Sequence, residues 1–140
     1  MDNMRAIEEL LIRHEGIRFK PYTDTVGKLS VGVGRNLDDK GISKEEAMYL
    51  LRNDIDESAR DLANLIFNGR FYEFPVPVQH VLISMRFQLG RAGFRKFKKM
   101  IFAFQELDYE EAIVQMKASK WYGQVTKRAD ELIDMIRKAI

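Results

Sequence analysis

At 140 residues and 46% hydrophobic composition, the chain is long enough for one domain with a real core, single- or two-lobed, and too short for two independent domains. With 23 Lys and Arg against 21 Asp and Glu, the net charge of +2 fits an acidic polymer no better than a neutral substrate, so charge alone selects no partner. The absence of cysteine excludes disulfides and thiolate metal sites, which suits reducing cytoplasm, and two histidines, His14 and His80, are too few for a His-based metal centre.

The first predicted helix covers residues 3–14, where Met4, Ile7, Leu10 and Leu11 recur at helical spacing behind a cap at Asp2 or Asn3. Glu8 and Glu9 interrupt what a signal peptide would keep apolar, and no apolar run approaches the roughly 18 residues of a membrane span. The expectation is synthesis in the cytoplasm, with no signal peptide and no stable membrane insertion. Glu15 stands where the helical pattern gives out, because Gly16 is the residue type that ends a helix with positive φ. Its carboxylate can then point into a cleft.

Asp24 follows beside Pro21 and Gly27, in a turn between two short extended segments. From Leu29 to Gly34 the alternation is strict: Leu29, Val31 and Val33 share a face expected to be core, while Ser30, Gly32 and Gly34 leave the other nearly bare. Such a face lets a bulky ligand lie close to the main chain, with one hydroxyl left to hydrogen-bond. Two carboxylates beside it, Glu15 and Asp24, are the minimum equipment for glycosidic bond cleavage: one protonated to donate to the leaving oxygen, the other ionised to direct water or stabilise positive charge. Their spacing alone equally fits a solvated helix-end acid and a turn former that bonds its own backbone. Against the first alternative, negative charge at a helix C-terminus is disfavoured by about 0.3–1 kcal/mol, so Glu15 is placed against its local preference.

After a polar loop over 36–41, Ser43 and Glu46 form a capping box with Ile42 and Ala47 as its hydrophobic staple. No Gly or Pro interrupts the chain from there to Phe67, which predicts one bridging helix over about 43–67, roughly 36 Å long at about 1.5 Å per residue. Asn68 and Gly69 close it, and an aromatic connection leads to Pro77 in the first turn of the next helix. Val78, Val81, Leu82, Ile83, Met85 and Leu89 are too many for one stripe, so this helix should be the buried axis of a second lobe, ended by Gly90 and Gly93.

The next predicted helix, Phe94 to Leu107, carries Arg91, Arg95, Lys96, Lys98 and Lys99 at or near its start. The cluster suggests contact with anionic polymers, lipid headgroups or nucleic acid. With Phe94, Phe97, Ile101 and Phe104 on the opposite face, a solvated helix face is the favoured reading. Asp108 with Glu111 caps a helix through Lys117, and Ser119 caps a short turn around Trp121, which reads as core rather than as a sugar platform. Thr126 is expected to cap the last helix, with Ala129, Leu132, Ile133 and Ile136 inward. The fold class is α+β and predominantly α-helical: a single domain over 1–140, with an N-terminal lobe over about 13–42 holding a small antiparallel sheet. A helical lobe over about 71–140 also takes in the first helix.

The blocks Glu15-Gly16, Tyr22-Thr23-Asp24-Thr25 with Gly27, and Ser30-Val31-Gly32-Val33-Gly34 resemble the catalytic signature of the phage-type lysozymes, or endolysins, muramidases that cut peptidoglycan. Phe87-Gln88-Leu89-Gly90, Gly93-Phe94, and Ser119-Lys120-Trp121-Tyr122-Gly123-Gln124 with Arg128-Ala129 resemble that family's second lobe, so the resemblance covers nearly the whole chain. It implies a two-lobed, lysozyme-like fold and inverting hydrolysis of the β-1,4 bond between N-acetylmuramic acid and N-acetylglucosamine. Glu15 would be the general acid, Asp24 the base for water and Ser30 its orienting partner, with no cofactor and no metal. Phe87, Gln88, Asn36 and Gln115 match positions lining the sugar cleft, Asn36 and Gln115 departing in residue type. Arg128 should approach Glu15, and Arg35 should pair with Asp54. Three departures stand out: Ser30 where most members have Thr, Arg35 where one branch has His, and a shorter segment between Arg35 and Ser43.

The partner this resemblance implies is the peptidoglycan saccharide chain, reached from the host cytoplasm through a holin-type release partner; the protein is expected to be a monomer that binds no nucleic acid. The enzymatic rival is a lytic transglycosylase, which needs one acid and no activated water, so Asp24 and Ser30 argue against it. A rival of another class is a wall- or nucleic-acid-binding module that kept the fold and lost turnover, supported only by the cluster at 91–99.

Overall fold

The computed structural model describes residues 2–140, the side chain of Asp2 excepted. The chain forms two compact units, Met1–Tyr49 and Leu50–Ile140, whose boundary falls inside a helix. The class is α+β with helix predominating, as the sequence implies: among the described residues there are seven α-helices and one three-stranded antiparallel sheet.

In the first unit, α1 (Asp2–Glu15) leads into β1 (Arg18–Thr23), β2 (Leu29–Gly32) and β3 (Arg35–Asn36), and α2 (Lys44–Arg60) begins. Asn3 is already inside α1, and the alternative cap, the side chain of Asp2, lies outside the described residues. β1 and β2 pair through Tyr22 with Ser30 and Thr23 with Leu29, while β2 and β3 pair through Ser30 with Asn36 and Val31 with Arg35. Ser30 is therefore the centre of the sheet.

Two expectations for this stretch are corrected. The strand stops at Gly32, and Val33-Gly34 forms the turn into β3, with Gly32 at φ 68° and Gly34 at φ 65°; backbone in the left-handed region is what glycine permits and a β-branched residue resists. The face expected to be core is not buried, since Leu29 is 41% and Val33 37% exposed and Val31 is half-buried, whereas on the other face Ser30 is 2% exposed. A small side chain at the sheet centre is covered by its paired neighbours, while Leu29 at the strand end and Val33 in the turn have paired strand on fewer sides.

The Ser43–Glu46 capping box forms, with Glu46 N–H donating to Ser43 Oγ at 3.1 Å and Ser43 N–H to Glu46 Oε1 at 2.7 Å. The single helix expected over 43–67 is corrected: α2 gives way to a π-helical stretch, Asp61–Ile66, marked by a Phe67 N–H to Leu62 O bond of 2.9 Å. This wider register turns Asp61, Leu62, Ala63 and Ile66 together into the interior of the second unit.

In that unit a 3₁₀ turn (Phe71–Glu73) precedes α3 (Val76–Arg95), α4 (Lys98–Gln105), α5 (Tyr109–Lys117), α6 (Lys120–Gln124) and α7 (Thr126–Ala139). α3 breaks at Gly90 (φ 75°), as expected, but resumes as a short turn through Gly93 to Arg95, so Phe94 and Arg95 close α3 rather than open the next helix. The core collects Leu62, Phe71, Val81, Met85, Phe104 and Ile136, among others, all buried. Asp108 and Ser119 cap α5 and α6 as expected, by accepting from Glu111 N–H and Tyr122 N–H. Thr126 does not cap α7: it is the first helical residue, and its hydroxyl donates to Tyr122 O at 2.7 Å.

Arg86, buried in α3 between Met85 and Phe87, donates to Asp61 Oδ2 through Nε at 2.8 Å and Nη2 at 2.5 Å. Arg91 reaches the same carboxylate, through Nε at 3.0 Å and Nη2 at 2.6 Å. Arg86 also donates to Glu57 Oε1 at 3.2 Å, so Asp61 and Glu57 together balance Arg86 and the half-exposed Arg91, which is how charge is tolerated at the edge of an apolar helical bundle.

Candidate active site

Glu15 is the last residue of α1, and Gly16, at φ 75°, turns the chain out of the helix while its N–H closes on Ile12 O at 2.8 Å. The side chain then lies against the β2–β3 turn: a Cβ added at Gly34 would stand 3.5 Å from Glu15 Oε2. Glycine at 34 leaves the main chain bare beside the carboxylate, so an acid and a Gly-rich hairpin distant in sequence meet within the first unit.

Asp24 is half-buried in the β1–β2 turn. Its Oδ1 accepts from Val26 N–H at 3.0 Å and Lys28 N–H at 2.8 Å, and its main chain closes the same turn with Lys28 and Gly27. The turn-former role and a chemical role are therefore compatible, because one oxygen holds the loop and Oδ2 has no hydrogen bond among the described residues. Ser30 lies on β2 just beyond this turn.

Arg35 engages a different acid from the one expected. Its Nη1 donates to Glu46 Oε1 at 2.8 Å and to Gly41 O at 3.1 Å, and its Nη2 donates to Glu46 Oε2 at 2.6 Å. The expected pair with Asp54 is replaced because Glu46, held in the first turn of α2 by the capping box, presents both oxygens to the guanidinium fork. Asn36, expected to face a sugar, spends its amide on Asp39: Nδ2 donates to Oδ2 at 3.1 Å, and Oδ1 accepts from Asp39 N–H at 2.9 Å.

In the second unit, Phe87 is 45% exposed on α3. Gln88 Oε1 accepts from Trp121 Nε1 at 3.0 Å, and Trp121 is buried, as expected of a core residue. Gln115 donates to Glu111 at 3.3 Å, and Arg128 Nη2 donates to Ser84 Oγ at 3.1 Å.

Sequence reasoning passed over Glu46, Asp61 and Arg86. Glu46 was legible only as a capping residue, since nothing local says that a capping carboxylate has a second oxygen for a strand arginine. Arg86 carried a usable signal: a cation inside the apolar run from Val78 to Leu89 has to find a buried acid.

An acid at a helix end against a glycine hairpin, an acid in the adjoining turn and a helical second unit define a lysozyme-like protein. The phage lysozyme family model matches residues 12–134, and the chain belongs to that family. It is 27% identical to the pre-baseplate central spike protein Gp5 of Enterobacteria phage T4, over 94% of this chain and 27% of that relative, so it spans about a quarter of the spike protein's length. Two probable T4-type lysozymes of Dictyostelium discoideum are 25% and 23% identical, with 92% and 93% of their lengths covered. Among the described residues, no helix is long and apolar enough to cross a membrane.

Proposed function

We propose that the protein hydrolyses the β-1,4 bond between N-acetylmuramic acid and N-acetylglucosamine in bacterial peptidoglycan, with inversion, and thereby lyses the cell. The observation that carries this reading is the seating of Glu15 against Gly34, where a sugar ring can approach bare main chain and the acid reaches the glycosidic oxygen. Glu15 gives its proton to the leaving oxygen. Asp24, with Oδ1 fixed by two turn amides, uses Oδ2 to take a proton from the attacking water, and the Ser30 hydroxyl orients that water. The water oxygen bonds to the anomeric carbon as the C–O bond breaks, and no cofactor enters. The exposed ring of Phe87 offers a stacking face to a sugar, and the free amide nitrogen of Gln88 a donor. The enzyme is made in the host cytoplasm and acts on the wall after release by a holin-type partner.

The test is clearing of purified peptidoglycan by wild type and Glu15→Gln, with product masses. Wild type should clear and release products carrying one added water, and Glu15→Gln should not clear. Clearing by both or by neither overturns the mechanism, and anhydro-sugar products would favour a transglycosylase instead.

A further inference from the structure

A cavity of about 430 Å³ opens in the second unit, between the chain at residues 67–74 and that at 104–109, and its size falls in the range of small-molecule sites, about 300–1,000 Å³. None of the residues proposed to touch the saccharide lines it. Its floor is aromatic: Phe67 packs against Phe74 with ring centroids 5.2 Å apart, Phe74 against Phe104 at 6.0 Å and Phe104 against Tyr109 at 6.2 Å, each pair edge-on. The three phenylalanines are buried, so the core fixes this surface before any ligand arrives. The walls hold the chain against its preference. Among the described residues only two other than glycine have positive φ, Asn68 at 50° and Leu107 at 58°, and both line this cavity. Leu107 follows the end of α4, where its N–H donates to Phe104 O at 3.0 Å and Asp108 N–H to Ala103 O at 2.8 Å; glycine is the usual residue at such a helix end. A bulky side chain held there is strained, and its strain lies at the wall of a cavity.

The rim carries opposite charges. Arg70 and Glu73 stand 3.7 Å apart with both side chains more than half exposed, too far for a hydrogen bond and too exposed for a firm ion pair. Among the described residues neither side chain makes a hydrogen bond, and neither does the Tyr109 hydroxyl, which burial keeps protonated by raising its pKa. Gln105 donates its amide N–H to Ile66 O at 3.1 Å, which leaves Oε1 as an acceptor. A guanidinium fork matches a planar carboxylate, and a carboxylate with an amide oxygen matches an ammonium. A simple carboxylate on Arg70 would also face Glu73, and a simple amine on Glu73 would also face Arg70, so a ligand with one charge gains little. A molecule with both charges on neighbouring atoms satisfies both residues, and a ring beside them would pack edge-on with the floor. We propose that this cavity binds a free α-amino acid with an aromatic side chain, its carboxylate on Arg70, its ammonium on Glu73 and its ring against Phe74 and Phe104.

The isotope-labelled full chain is titrated with L-phenylalanine while amide chemical shifts are followed. Phenylalanine amide, which lacks the carboxylate, and N-acetylphenylalanine, which lacks the ammonium, are titrated in parallel. Wild type should show saturable shifts centred on Asn68, Arg70, Leu107 and Tyr109, and should bind either derivative at least about tenfold more weakly. Arg70→Gln should bind phenylalanine more weakly and no better than its amide, and Glu73→Gln should bind phenylalanine no better than its N-acetyl form. Both substitutions are at exposed positions, so the fold is retained. Leu107→Gly, which relieves the positive φ and removes an apolar wall, should weaken binding without lowering thermal stability. No saturable shifts in wild type overturns the proposal. Equal affinity of wild type for phenylalanine and either derivative overturns the paired-charge assignment, and L-leucine binding as tightly overturns the aromatic one. Leu107→Gly losing stability with binding unchanged would make Leu107 a residue of the fold and not of the site.

Discussion

Arg35 and Glu46 join β3 to the first turn of α2 through two parallel hydrogen bonds of 2.8 and 2.6 Å, and the same carboxylate accepts from Ser43 N–H. The Arg35 side-chain bonds, followed by the Ser43 amide, lower the Glu46 carboxyl from the ordinary 4.5 to about 2. A carboxyl depressed in the folded state contributes stability that is complete above its unfolded pKa and lost as pH falls through the folded one. Protection of the Ser43 amide against hydrogen exchange should therefore decline between about pH 4.5 and 2, and Glu46→Gln should abolish that step. A profile that is flat in wild type, or identical in Glu46→Gln, would contradict this account.

Asp61 supports the second unit in a different way. Hydrogen bonds from Arg91, then the partly opposing effect of burial, then bonds from Arg86, hold its carboxyl below the usual range. Asp61→Asn leaves the guanidinium of Arg86, with a side chain 9% exposed, with only the exposed carboxylate of Glu57 at 3.2 Å as counter-charge, and removing the closer, buried partner costs up to about 3–5 kcal/mol. Urea unfolding should show a loss of this size for Asp61→Asn. The double variant Asp61→Asn with Arg86→Met should recover part of it, since no buried charge is then left unpaired. A loss below about 1 kcal/mol, the range of exposed pairs, would mean that solvent screens the network.

These two clusters mark where the sequence was informative and where it was not. Caps are local, so Ser43–Glu46, Asp108 and Ser119 could be read from spacing, and the inward face of α7 followed from period 3.6. Thr126 misled because its hydroxyl turns back to the Tyr122 carbonyl, a competing local bond that leaves the same composition in sequence. Long-range choices were not legible: which acid Arg35 takes, or that α2 widens at Asp61 so that four residues turn inward. The alternation at Leu29–Gly34 was read too far and with the wrong residue buried: the strand ends at Gly32, Val33-Gly34 turns, and Ser30 rather than Leu29 or Val33 has cover, because periodicity in sequence states neither where pairing stops nor which face is covered. Of the three residues proposed to be catalytic, position could be read and role could not; Glu15 at a helix end and Asp24 in a turn are where the pattern put them.

Asp24 allows structure and chemistry to be separated by two substitutions. Asp24→Asn keeps an Oδ1 acceptor for Val26 N–H and Lys28 N–H, so the turn should persist while the base is lost. Wall-clearing turnover should fall by about 10²–10⁴-fold, the usual share of acid–base catalysis, with saccharide affinity nearly unchanged. Asp24→Ala should lose the same turnover and, in addition, the two turn bonds, visible as faster amide exchange at Val26 and Lys28. Full activity in Asp24→Asn would remove Asp24 from the mechanism and move the single-acid transglycosylase reading ahead.

Ser30 gives the finest test, because its hydroxyl and its size can be varied apart. At 2% exposure in the centre of the sheet it has little freedom, yet a Cβ added at Gly32, two residues along β2, would meet nothing within 4 Å, so the strand has room on that side. Ser30→Thr keeps the hydroxyl, restricts χ1 and suits a strand, so the rate should be equal or higher. Ser30→Ala keeps the strand and removes the hydroxyl proposed to orient water, so cleavage should slow while saccharide affinity stays within a few-fold. Rates of wall clearing and oligosaccharide affinity, measured together on both variants, distinguish this from a packing role, in which Ala would be tolerated and Thr would be the damaging change. Ser30→Ala matching wild type in rate would show that water is oriented by Asp24 alone.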